Sequence, residues 1–380
     1  MKNIIFILFL IIIPMLLCTT VQAEKYEFTY PDESFASEAE LSDLYDSLPE
    51  NIKNEIIEIS PDNADEICEQ YDIDFFINKI IEAVKNALEP SVNILSKLFC
   101  VIIISSLYNH TTASLLKNKI SSALKLCTSL CLVLTLQSIH YSIFEIASGL
   151  LKTLSNTMLL IVPVIEGVYI SSGNISLAAV TTAQISLMIS VVETIYSRIL
   201  APAVSTSFIL SCVSCVTQNP GISFISKAIR GFVTGAIVTV MSLMSIVLNM
   251  QSSISSAADT FASKAIRFAL GSYIPLIGGS VSDSLSVVNG SIGLIKQGAG
   301  ITGIIILFLL ILPPLIMLIM ARFAIAASKS ASEILGCETE KNILDEFGSI
   351  YTMMICITIS ASIMFIYALS QFCKTPLAFN

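Results

Sequence analysis

The sequence predicts an all-α, polytopic membrane protein of about 7–8 transmembrane helices, with an N-terminal signal peptide and a small helical extracytoplasmic segment. Three observations predict it. Of 380 residues, 54% are hydrophobic and only 13% charged, whereas a soluble domain carries about 25% charged residues. Apolar runs of near-spanning length recur from residue 92 onward. The charges are also segregated: residues 24–90 hold 19 acidic and 4 basic residues, while residues 91–380 hold 10 acidic and 15 basic. The acidic pI of 4.8 therefore describes one segment. This balance excludes a nucleic-acid binder of the usual basic kind, and two histidines leave little room for a multi-His metal site.

At the N-terminus, Lys2, the apolar run Ile4 to Leu17 and the small residues up to Ala23 have the three regions of a secretory signal peptide. Cleavage would leave Glu24 as the first residue; an uncleaved anchor is the alternative, although the run is short for a bilayer core. Leu17 before Cys18 argues against lipidation. Residues 24–71 are acidic and interrupted by Pro31, Pro49 and Pro61, with two short helical patterns. From Asp72 to Glu89, the spacing of Ile73, Phe76, Ile77, Ile80, Ile81, Val84 and Leu88 predicts an amphipathic helix that ends at Pro90. It would pack on its neighbours or on the bilayer, or else dock a partner.

Candidate spans lie at about 92–109, 126–144, 153–170, 175–196, 199–217, 231–250, 300–322 and 348–372, eight in all, with seven as the next choice. Each is near the length that crosses about 30 Å of hydrocarbon. Pro163, Gly167 and Pro202 allow broken or re-entrant helices in the third to fifth. The organisation is then a signal peptide (1–23), an acidic extracytoplasmic segment (24–90), six spans (91–250), an extracytoplasmic amphipathic and Gly-rich region (251–299) and two last spans (300–380). Lys117, Lys119 and Lys125 come after the first span, and Lys227 and Arg230 after the fifth. Both groups are cytoplasmic if residues 24–90 are outside, so signal peptide and positive-inside rule agree. The loop from Lys329 to Glu346 carries more acids than bases and gives no support.

Few residues suggest chemistry. Cys212 and Cys215 have redox spacing but lack a second pair or nearby His, so buried packing is the better reading, as for Cys127 and Cys131. His110 and His140, near span ends, read as interfacial. Glu166 and Glu193 lie at membrane depth, where an acid is costly and so marks either a structural pairing or ion coupling. Arg198 comes five residues after Glu193, which does not place the two on one face of a straight α-helix. In the region 251–299, Ala258, Phe261, Ala262, Ala265, Phe268 and Ala269 form one face and Asp259, Ser263, Lys264 and Arg267 the other, an amphipathic helix too polar to span. Further along, Gly290, Gly293, Gly298 and Gly300 punctuate the chain around Lys296, without the spacing of a nucleotide-binding loop.

The order Asp259, Lys264-Ala-Ile-Arg267, Ile274-Pro275-Leu-Ile-Gly278, Asp283, Leu294-Ile-Lys296 and Gly300 resembles the signature block of the stage III sporulation protein AE family of endospore-forming bacteria. Pro163 and Pro202 are weaker echoes. Gly279 and Met317 depart from the pattern where basic residues are expected. The resemblance implies a non-enzymatic subunit of the stage III A complex in the mother-cell membrane around the forespore, with no cofactor. It implies other membrane and cytoplasmic subunits as partners, including indirectly an ATPase, and a secretion-like conduit. Asp259, Lys264, Arg267, Pro275, Gly278, Asp283 and Lys296 become candidate interaction or structural residues. A stand-alone ion-coupled transporter using Glu166 or Glu193 is the alternative. An intramembrane enzyme has little support, because no nucleophile–base pair can be assembled on these spans.

Overall fold

The computed structural model describes residues 73–115, 118–171, 174–217, 220–273 and 278–374, with side chains given except at 110–124, 248–299, Pro220 and Lys374. The predicted signal peptide and acidic segment, up to residue 72, lie outside the described residues. Among those described, all but the short connections is helical and no strand occurs. Helix α1 runs Ile73–Leu115, α2 Asn118–Ser171, α3 Ile175–Val191, α4 Ala201–Thr217, α5 Pro220–Tyr273, α6 Gly278–Ile334 and α7 Glu338–Lys374. A π-helical stretch, Val192–Leu200, joins α3 to α4 without a break. Counting α3–π–α4 as one rod, six helices among the described residues are long and apolar enough to cross a membrane.

The described residues form six such rods where eight spans are expected, for a simple reason. Residues 126–144 and 153–170 both lie in α2, and 175–196 and 199–217 both lie in the α3–π–α4 rod. A continuous helix crosses a bilayer once. Pro163 sits inside α2 without ending it, and α1 likewise runs through Pro90, where the sequence predicts an end. Because one crossing is lost from each pair, the two Lys-rich connections keep their common side.

Contacts between rods place these connections together. The Asn109 amide reaches Cys337 Sγ at 3.7 Å, the Thr128 hydroxyl donates to Glu340 Oε1 at 3.1 Å, and the Ser223 hydroxyl donates to Glu346 Oε1 at 3.3 Å. The α1–α2, α4–α5 and α6–α7 connections therefore gather at one end, here called basal. The α6–α7 turn there is a Schellman motif: Gly336 has φ +69°, its N–H donates to the Glu333 carbonyl, and the Cys337 N–H donates to the Ser332 carbonyl.

α6 and α7 form the centre. From Ile301 to Ala321, α6 is apolar on every side, and from Ile301 to Leu312 it is almost wholly buried, the expected behaviour of a helix without a polar face. Glycines let the pair close up. A Cβ on Gly303 would stand 3.1 Å from Leu369, and one on Gly300 would collide with Cys373 Sγ. α1 packs on one flank of α6, and Phe76 meets Phe308 edge-on at 5.0 Å between ring centroids. α5 packs against α3, α4 and the basal part of α7 at the other edge.

Candidate functional site

The charged residues that the bundle brings together are those of the basal ends of α5, α6 and α7. Ser223, Lys227 and Arg230 recur on one face of α5, while Ser207 and Ser211, four apart, share one face of α4. Facing them is Glu346 of α7. Arg230 Nη2 donates to Glu346 Oε2 at 2.5 Å, and Lys227 Nζ stands 3.1 Å from Oε1. Arg230 is 8% exposed. Its Nη1 donates to Ser211 Oγ at 3.3 Å and to Ser226 Oγ at 3.2 Å, and Ser226 Oγ lies 2.8 Å from the hydroxyls of both Ser207 and Ser211. Three helices thus surround one guanidinium.

The neighbouring acid points elsewhere. Successive residues on a helix diverge by about 100°, so Asp345 turns to α6 and pairs with Lys329 at 2.5 Å. On the same helix Lys341 returns to Glu333 of α6 at 2.9 Å. Four of the five acids that obscured the charge signal of this loop, Glu333, Glu338, Asp345 and Glu346, are therefore counterions to basal cations. Arg322 of α6 donates from Nε to Thr352 Oγ1 at 3.0 Å, and its guanidinium lies over Gly348, where a Cβ would come within 3.1 Å of Cζ. Buried Glu340 accepts from Ser105 Oγ at 2.6 Å and Thr128 Oγ1 at 3.1 Å, which ties α7 to α1 and α2.

This layer is a clamp in its chemistry. A carboxylate held by two cations, and a guanidinium that donates to that carboxylate and to two hydroxyls, fix helix positions. Among the described residues no group of three or more His, Cys, Asp or Glu could hold a metal ion. His140 is buried rather than interfacial, stacked on Phe208 with ring centroids 3.8 Å apart; His110 lies outside the described side chains. Cys212 is buried and Cys215 partly so, as the packing reading expects, whereas Cys127 and Cys131 are exposed on α2 and correct it.

Glu193 and Arg198, expected on different faces, form an ion pair at 2.6 Å. The reason is local. In a regular helix the Pro202 ring would meet the Arg198 carbonyl; the wider π turn relieves this, and Ala201 N–H donates to the Tyr196 carbonyl five residues back. At that pitch, residues five apart become neighbours. Both side chains are exposed. Glu166 is half-buried on α2 and has no ion-pair partner among the described residues.

Asp259, Lys264 and Arg267 lie on α5, and Gly278, Asp283 and Lys296 on α6, on either side of a connection that contains Pro275. Their side chains, and Pro275 itself, lie outside the described residues. The backbone adds one fact: α5 is unbroken from Pro220, so the amphipathic stretch continues a rod instead of forming a separate surface helix. Sequence reading missed Arg230 and Glu346 as a pair because 116 residues separate them. The available signal was a cation at the edge of a span, with serines repeating on the preceding helix.

The family described as Stage III sporulation protein AE matches residues 62–375. The protein of that name from Bacillus subtilis (strain 168) is 22% identical over 325 residues, covering 85% of this chain and 80% of the relative. No solved structure gives a significant match.

Proposed function

We propose, for a chain that belongs to the stage III sporulation protein AE family, the role of a multi-pass subunit in a secretion-like complex that joins mother cell and forespore. It would sit in the mother-cell membrane and form or support a conduit there. The observation that carries this reading is the family match across most of the chain, combined with a bundle of six long apolar rods. The basal end, with Lys125, Lys227, Arg230 and Lys329, would face the cytoplasm by the positive-inside rule. The N-terminal segment then lies in the intermembrane space. Other membrane subunits and, indirectly, a cytoplasmic ATPase are the expected partners, along with the lipid bilayer.

Affinity capture of the tagged chain from sporulating cells tests the assignment. Co-purification of other membrane proteins encoded beside it is expected, and capture of the chain alone would overturn it. Orientation has its own test, in vegetative cells that express the chain in the plasma membrane: a cysteine placed near Glu40 should react with an impermeant thiol reagent in intact protoplasts, and one at Lys119 should not. The ion-coupled transporter has weaker support, because Glu193 is exposed and already paired. If Glu166→Gln or Glu193→Gln abolished sporulation while the protein still assembled, the transporter reading would displace the subunit reading.

A further inference from the structure

Two contacts set α1 against the central hairpin: Phe76 against Phe308, and Ser105 against Glu340 beside the α6–α7 turn. From Phe76, thirteen residues along α1 lead to Glu89, and thirteen along α6 lead from Phe308 to Ala321, roughly 20 Å in each case. Glu82, Lys85 and Glu89 therefore stand level with Pro314, Met317 and Ala321, the basal part of the apolar stretch of α6, and all three are exposed. α2 is placed in the same way by Thr128 against Glu340 and Ile161 near Gly303, so Glu145 and Lys152, also exposed, fall at this level.

The opposite edge differs. Arg230 against Glu346 places the next turns of α5 at the same height, and there the exposed side chains include Phe232, Val238, Leu243 and Ile246, interspersed with the uncharged Thr239, Ser242 and Ser245. No charged residue occurs on α5 between Arg230 and Asp259. That face suits hydrocarbon. An α1–α2 face bearing charges of both signs at the same depth does not. Lys79 and Glu82 pair at 3.0 Å; Lys85, Glu89, Glu145 and Lys152 have no salt bridge among the described residues.

We propose that the charged outer face of α1 and α2 is an interface between copies of this chain within the membrane. Mixed charge makes the face complementary to itself, since the Lys85 and Lys152 ammonium groups can meet Glu82, Glu89 or Glu145 of the second copy. A face of one sign would instead have required a different, oppositely charged partner. The interface depends on the chain's being a membrane bundle and not on its sporulation partners, so it can be read in a host that lacks them.

The full chain is expressed in such a host with Cys18, Cys68 and the exposed Cys100, Cys127, Cys131 and Cys356 replaced by Ser. Single Asn86→Cys and Leu243→Cys variants are treated in membranes with a short bifunctional maleimide. Covalent dimers are expected from Asn86→Cys and not from Leu243→Cys, and adding Lys85→Glu should lower the dimer yield by at least about tenfold, because like charges then face one another. Asn78→Cys, on the same face, gives the same reading if Asn86→Cys does not accumulate. The proposal is overturned if the α1 cysteines give no dimer, give cross-links only to a different polypeptide, or react with an impermeant maleimide as freely as a solvated surface. Equal dimer yields from Leu243→Cys would overturn it as well.

Discussion

The edge helices α1 and α5 both qualify as membrane spans by length and composition, yet they present opposite outer faces at one depth. α1 shows Glu82, Lys85 and Glu89 among the exposed Ile77, Ile81 and Leu88, and α5 shows Val238, Leu243 and Ile246 with no charge among them. Apolarity averaged along a helix therefore says little about what covers it; the residue type on the outward face decides. Insertion scales put a centrally placed charge at roughly 2.5–3.5 kcal/mol against hydrocarbon. Nothing comparable opposes α5.

The largest effect should come from freeing the α5 edge. Arg230→Ala leaves Glu346 partly buried without its main partner and should cost about 3–5 kcal/mol, seen as a lower aggregation temperature in detergent. The double variant with Glu346→Ala should cost less than the two single changes together, because the residues are coupled.

The same substitution type should separate the two edges. Leu243→Lys should impair insertion by about 2.5–3.5 kcal/mol, measured as the inserted fraction in membranes. Leu88→Lys, on the exposed and already charged side of α1, should stay within about 0.5 kcal/mol. Equal penalties would erase the difference between the edges.

Gly336→Ala should act on neither edge in particular. Its left-handed backbone carries a cost of about 1–2 kcal/mol for a residue with Cβ, so the basal turn should loosen modestly and thermal stability should fall without a change in topology. Smallest of all, Glu193→Gln removes an exposed ion pair worth at most about 1 kcal/mol. Accumulation and sporulation should be unchanged, which a spore count would check.

Helical class, apolar periodicity and the common side of the Lys-rich connections were legible in the sequence. The number of rods was not. Glu145, Ser148 and Lys152 resemble a polar link between two spans, but they lie within one helix whose polar side faces outward. Pro90 and Pro163 likewise resemble stops, although a packed bundle tolerates the single lost hydrogen bond. The Glu193–Arg198 pair depended on a π turn that helical spacing cannot anticipate, and Arg230–Glu346 on contacts between distant helices. The distal block around Asp259 and Lys264 was read from resemblance, and its side chains lie outside the described residues.

The contrast between edges is tested most directly by nitroxide labels at Asn86→Cys on α1 and Leu243→Cys on α5, in protein reconstituted into bilayers. Collision with oxygen, which concentrates in hydrocarbon, is compared with collision with a water-soluble nickel chelate. High oxygen access is expected at 243, and low access to both reagents at 86. High oxygen access at both sites would mean that the α1 face meets lipid, and would contradict a protein-covered α1 edge.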